Sequence, residues 1–226
     1  TNSFWNTSTS GRTSSAGGVG KTTLSGNVAF GLHLRGFKVV LVDSDPQQTT
    51  LTWNNIRSGD NNELPFNAIA TSANSLKQLT ERMIAKDGYD FVVIDGAPRM
   101  TDLARAAIIA SDLIIMPMQP SGADIWATDD LKNMIEEAKH FKPSIISAVL
   151  LNRVFSNTKL SKEIISSLIE NDWSFFDTSI KQRQIYAAAI SEGLTIYEMP
   201  NNKEAKNEIE SLIEEILKLK EIENGD

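Results

Sequence analysis

The stretch Ala16-Gly17-Gly18-Val19-Gly20-Lys21-Thr22-Thr23 is composed for one task, the cradling of phosphates. Three glycines in four positions let the backbone turn sharply and bring its N–H groups to an anion, with no Cβ in the way. Lys21 offers a mobile positive charge to the β- and γ-phosphates, and the Thr22 hydroxyl can ligate Mg²⁺. Leu24 to Arg35 can continue as a helix, whose positive N-terminal end would face the same phosphates. An ordinary glycine-rich turn explains the glycines but not a Gly-Lys-Thr run that opens a helix.

Acidic residues follow two apolar runs. Asp43 and Asp45 come after Phe37 to Val42, and Asp95 after Phe91 to Ile94. Aspartate also favours plain turns. Three such residues at strand ends, in a chain with a phosphate loop, point instead to carboxylates serving Mg²⁺ and its retained waters. Ligands of open α/β sheets bind beyond the carboxyl ends of the strands, where these residues stand.

The elements that must position these groups are readable as alternating strands and helices. Continuous apolar runs begin at Phe37, Phe91, Leu113 and Ile145, the mark of strands buried on both faces. A shorter strand is expected at Phe66 to Ala70, and a strand-like patch at Trp173 to Phe176. The Leu113 strand is expected to stop before Pro117. Helical spacing covers the regions of Leu51 to Ile56, Leu76 to Ala85, Leu103 to Ala110, Ala123 to Phe141, Leu160 to Ile169, Gln184 to Ser191 and Lys203 to Glu221. This alternation predicts an α/β fold: a doubly wound, mostly parallel sheet with helices on both faces.

Residues 1–15 are the exception. They are rich in Ser and Thr, and only Phe4 and Trp5 are large and apolar. The buried strand that normally feeds a phosphate loop is therefore doubtful here, and poor order or packing is expected. The sequence divides into this polar segment and one P-loop domain over 16–226.

Composition narrows the chemistry. The chain holds 226 residues with 41% hydrophobic content, enough for a sizeable core. It has no cysteine, which excludes disulfides and thiolate metal sites and fits a cytoplasmic setting. No apolar run approaches the roughly 18 residues of a bilayer span. The formal net charge is −7, so contact with nucleic acid requires a local basic patch.

The run Gly17-Gly18-Val19-Gly20-Lys21-Thr22-Thr23 resembles the deviant Walker A loop of the ParA/MinD family of ATPases, closest to short partition ParA proteins. Val42-Asp43-Ser44-Asp45-Pro46-Gln47 resembles the family's Asp-x-Asp-Pro-Gln motif, and Ile94-Asp95-Gly96-Ala97-Pro98 its Walker B segment. Met116 to Ser121, Asp124 to Ala127, Leu151-Asn152-Arg153-Val154 and the region from Arg183 to Thr195 are similar too. The resemblance implies a P-loop fold and ATP hydrolysis, with ATP/ADP and Mg²⁺ as cofactors. Gly17 to Thr23 would hold the phosphates, and Asn152 and Arg153 would lie at the adenine end. Thr22, Asp43 and Asp95 would serve the metal. Lys21 and Asp45 would act in catalysis, Asp45 by orienting the attacking water.

The family loop begins with a lysine that reaches across a dimer to the partner's phosphates, and here that position is Ala16. The departure predicts nucleotide binding with weak dimerisation and slow hydrolysis.

The resemblance further implies a cytoplasmic, nucleoid-associated ATPase that dimerises on nucleotide, binds DNA without sequence preference and responds to a ParB-type adaptor. Lys181 and Arg183 are the candidate DNA contacts. The stretch ahead of the loop does not read as a helix-turn-helix, so the short form of partition ATPase is expected. Two alternatives stand beside this one. A MinD-like membrane-associated ATPase would need a basic amphipathic final helix. Lys203 to Glu223 does carry the stripe Ile209, Leu212, Ile213 and Ile216, but with four Lys against seven Glu, a local charge of −3. No membrane partner is expected. The other alternative is a nucleotide-binding module impaired in hydrolysis by Ala16.

Overall fold

The computed structural model describes residues 3–6, 20–44, 49–59, 64–96, 102–120, 122–155, 159–170 and 172–223. Among the described residues, seven strands form one sheet: β1 (Ser3–Asn6), β2 (Val39–Asp43), β3 (Asn67–Ala70), β4 (Phe91–Asp95), β5 (Leu113–Met118), β6 (Ile146–Val154) and β7 (Phe175–Lys181). Their order across the sheet is β3-β2-β4-β1-β5-β6-β7, and every pairing is parallel.

The connecting helices are α1 (Lys21–Leu34), α2 (Thr49–Gly59), α3 (Ala73–Ala85), α4 (Asp102–Ala110), α5 (Gly122–Phe141), α6 (Lys159–Glu170), α7 (Gln184–Ser191) and α8 (Lys203–Glu223). Alternation along the strands builds two cores. Val39, Leu41 and Val93 face one side, with Leu24, Val28 and Leu32 of α1 and Ile209, Leu212 and Ile213 of α8. Val40, Val42, Val92 and Ile94 face the other, with Leu76 of α3, Ile108 of α4 and Leu131 and Ile135 of α5. Strands covered on both faces need apolar residues at successive positions, which is why these runs do not alternate with polar ones.

Three expectations are corrected. The doubted N-terminal strand exists at Ser3–Asn6, between β4 and β5 at the centre of the sheet, with Trp5 in register with both Ile94 and Ile114. Backbone pairing on two sides holds a four-residue strand whose composition is a poor guide. Residues 7–19 lie outside the described residues. β5 does not stop before Pro117 but runs through it to Met118, paired with β6 at Pro117 and Leu150. β7 starts two residues later than the Trp173 patch and extends to Lys181, with two register irregularities against β6.

Candidate nucleotide site

Gly20 caps α1 with φ 87°, a left-handed conformation that glycine adopts without a Cβ penalty. Gly20 makes no side-chain cap bond, and the first N–H groups of a helix are the kind of donors that suit an anion. A Cβ at Gly20 would lie 3.1 Å from Asn152 Nδ2 and 4.0 Å from Arg153 Nε. The end of β6 thus closes over the head of α1, and two sequence-predicted groups meet there. Asn152 is buried and its Oδ1 accepts the Arg153 N–H at 2.9 Å, while Arg153 sits at φ 52°.

The candidate metal side lies at the ends of β2 and β4. Asp43 and Asp95 are register partners on these strands, and each is about 1% exposed. Asp95 Oδ2 accepts the Thr22 hydroxyl at 2.6 Å and the Thr50 hydroxyl at 2.7 Å, and Oδ1 accepts Ser25 Oγ at 3.3 Å. Burial pushes the Asp95 carboxyl up to about 6, with Asp43 adding to the rise and Thr22, Thr50 and Lys21 opposing it. Asp43 Oδ2 accepts the Leu51 N–H at 3.2 Å, at the head of α2. Ser44 completes the arrangement, since its N–H and hydroxyl both donate to the Asp95 carbonyl, at 3.0 and 2.8 Å.

Two carboxylates side by side in a buried, oxygen-only setting beside a threonine hydroxyl fit a hard divalent cation. Mg²⁺ takes one or two carboxylates and keeps waters and phosphates for its other positions. Among the described residues no three His, Cys, Asp or Glu gather as a protein cage.

The structure therefore brings together Gly20, Lys21, Thr22, Asp43, Asp95, Asn152 and Arg153. Thr23 is in the first turn of α1, where its carbonyl accepts Asn27 Nδ2 at 2.7 Å. Ala16, Gly17, Gly18, Val19 and Asp45 lie outside the described residues. Lys181 and Arg183 sit apart, at the end of β7, and Arg183 is already engaged. Its Nε and Nη2 donate to Glu208 Oε1 at 3.0 and 2.8 Å. The carboxylate of Glu208 raises the Arg183 pKa further. Lys181 Nζ donates to Ser179 Oγ at 3.2 Å.

Sequence reasoning missed Ser25, Ser44 and Thr50. Each is a short hydroxyl residue of no distinctive spacing, and the bonds of Ser25 and Thr50 to Asp95 span 70 and 45 positions. The neighbourhood of Thr50 to the Asp-x-Asp-Pro-Gln stretch was the available signal.

The glycine-capped helix head beside a buried carboxylate pair agrees with the comparisons. The chain matches the family described as CobQ/CobB/MinD/ParA nucleotide binding domain over residues 12–196. It belongs to that family. Among ParA/MinD relatives it is similar to "Maintenance of carboxysome distribution protein A" of Halothiobacillus neapolitanus, 29% identical over 89% of this chain and 92% of the relative. A plasmid partition protein of Borrelia burgdorferi solved with AMPPNP is 18% identical, with TM-score 0.70 over 97% of this chain and 100% of that one. The septum site-determining protein MinD of Pyrococcus horikoshii, solved with Mg-ADP, is 18% identical, with TM-score 0.69 over 97% and 98%. These solved structures share the fold.

Proposed function

We propose that the chain is a ParA-type ATPase that binds Mg-ATP, dimerises on it and partitions DNA through a ParB-type adaptor. The observation that carries the reading is the bond from Thr22, at the head of α1, to the buried Asp95. Bound Mg²⁺ would neutralise charge on the phosphate oxygens, the main demand of phosphoryl transfer. Thr22 would ligate it directly, with Asp95 and Asp43 holding its waters. Lys21 and the amides from Gly17 to Thr23 would fix the phosphates, and Asp45 would orient water. Asn152 and Arg153 would border the adenine. In this reading the protein works in the cytoplasm, on the nucleoid.

Ala16 makes hydrolysis slow, because the family's cross-dimer cation is missing. Losing such a charge costs roughly 3–4 kcal/mol of transition-state stabilisation or more. The test is Ala16→Lys with phosphate release and ATP-dependent dimerisation measured before and after. A lysine variant no faster than the parent contradicts the role given to position 16.

A second reading has a specific support. Similarity to the carboxysome distribution protein, across most of both chains, favours a cargo other than DNA carried by the same ATP cycle. Pull-down with a ParB-type adaptor against isolated carboxysomes separates the two. The membrane reading loses ground to an observation. Ile209, Leu212, Ile213 and Ile216 of α8 are at most 2% exposed and pack into the core. A stripe used there is not offered to lipid. No helix among the described residues is long and apolar enough to cross a membrane.

A further inference from the structure

Arg57 of α2 is a buried arginine, 2% exposed, and the magnesium–nucleotide reading gives it no task. Its Nη2 donates to Glu198 Oε1 at 2.6 Å and its Nη1 to Glu198 Oε2 at 2.8 Å, a two-pronged pair. Nη1 also donates to the Gly193 carbonyl at 3.1 Å. Gly193 has φ 70°, and a Cβ there would lie 2.8 Å from the Arg57 nitrogen, so this contact requires glycine. One turn back on α2, Trp53 Nε1 donates to the Leu194 carbonyl at 3.3 Å. Residues 193–198 form a strap against α2.

The same strap holds α1. Asn27 Oδ1 accepts the Ile196 N–H at 2.7 Å, and its Nδ2 reaches the Thr23 carbonyl in the first turn of α1. The other end of α2 returns to the site, where Thr50, fully buried, places its hydroxyl on the Asp95 oxygen that also accepts Thr22. The bonds close a ring: Thr22, Asp95, Thr50, α2, Arg57, Glu198, Ile196, Asn27 and back to the head of α1.

We infer that Arg57 and Glu198 are positioning residues that set the Asp95 carboxylate for magnesium by orienting α2 and its Thr50. The inference rests on the magnesium–nucleotide reading. In that reading the amides from Gly17 to Thr23 and Lys21 hold the phosphates, whereas the Thr50 hydroxyl bonds to Asp95, so nucleotide without metal does not need the hydroxyl that the clamp positions. The metal needs Asp95 aimed correctly, and that aim depends on a hydroxyl delivered by α2. Thr22 and Ser25 of α1 also bond to Asp95, and Thr50 adds the contact from α2; outer-shell partners of this kind tune metal affinity by roughly 10–100-fold.

The test uses a fluorescent ADP analogue titrated into the full chain, with Mg²⁺ and with EDTA, for the parent, Glu198→Gln, Arg57→Lys, Thr50→Val and Thr50→Ser. The expected result is a loss of about tenfold in the Mg²⁺-dependent gain in affinity for Glu198→Gln, Arg57→Lys and Thr50→Val. Affinity in EDTA is unchanged in all of them, and Thr50→Ser behaves as the parent. Thr50→Val and Thr50→Ser keep the question open to measurement if the clamp variants fail to fold. Variants that lower both affinities together, or that match the parent in Mg²⁺, overturn the clamp alone. A parent with no Mg²⁺-dependent gain overturns the clamp and the functional reading together.

Discussion

Asp43 and Asp95 stand side by side as register partners at the ends of β2 and β4, both almost wholly shielded from water. Like charges so placed oppose each other, and burial alone already disfavours the ionised Asp95. In the proposed reading such a pair is held for a cation. Asp95→Asn is therefore expected to leave the melting temperature of the ligand-free chain unchanged or raised, while abolishing the stabilisation by Mg-ADP. Thermal unfolding with and without Mg-ADP reads both effects. A large drop in the ligand-free protein would place Asp95 in the scaffold.

Gly31 and Gly26 both lie in α1, where glycine is roughly 1 kcal/mol less favourable than alanine. A Cβ at Gly31 would overlap the Tyr197 hydroxyl and Ile213 Cδ1. Overpacking of this kind costs about 1–3 kcal/mol, so Gly31→Ala is expected to destabilise. A Cβ at Gly26 meets only the Trp53 ring at 3.4 Å, an ordinary contact. Gly26→Ala is expected to be neutral or stabilising. Urea unfolding of the two variants checks the contrast, and equal effects contradict it.

These cases mark how far the sequence reaches. The strands beginning near Phe37, Phe91 and Leu113 were legible because burial on both faces writes an unbroken apolar run. β1 was not, because its place rests on backbone pairing while its residues are Ser3, Phe4, Trp5 and Asn6. That Lys21, Thr22, Asp43 and Asp95 come together was legible from motif spacing. Thr50 and Ser25 were not, since only folding brings their hydroxyls to Asp95. Arg57 reads as a surface residue in any helical pattern. Its burial depends on a carboxylate 141 positions away.

Glu208 stands at the proposed DNA contact. It holds Arg183 and also accepts the Tyr186 hydroxyl at 3.1 Å. Phosphates would have to compete with it for the guanidinium. Glu208→Gln is expected to strengthen non-specific duplex binding and steepen its salt dependence, and Arg183→Glu to weaken it. Fluorescence anisotropy across a salt series measures both. If neither variant moves the affinity, the end of β7 is not the DNA surface.

Glu198 gives the clamp an acid limit. Its burial raises the carboxyl pKa, but the Arg57 bonds and those from the Thr195 N–H and hydroxyl outweigh this and hold it below the ordinary 4.5. A carboxylate depressed in the folded state contributes stability above the unfolded value, and that part is lost as pH falls below about 4.5. Glu198→Gln is expected to be less stable at neutral pH and to show a shallower loss of stability below about pH 4.5. Denaturant unfolding from pH 7 to pH 3 tests this. Parallel curves for parent and variant contradict it.

The central claim is that the head of α1, with Asp43 and Asp95, is a magnesium–nucleotide site. Calorimetric titration of ATP into the chain, in Mg²⁺ and in EDTA, tests it most directly when run beside Lys21→Ala. The account predicts saturable binding by the parent that tightens with Mg²⁺ and is lost or severely weakened in Lys21→Ala. Absence of ATP binding by the parent, or equal binding by Lys21→Ala, contradicts it.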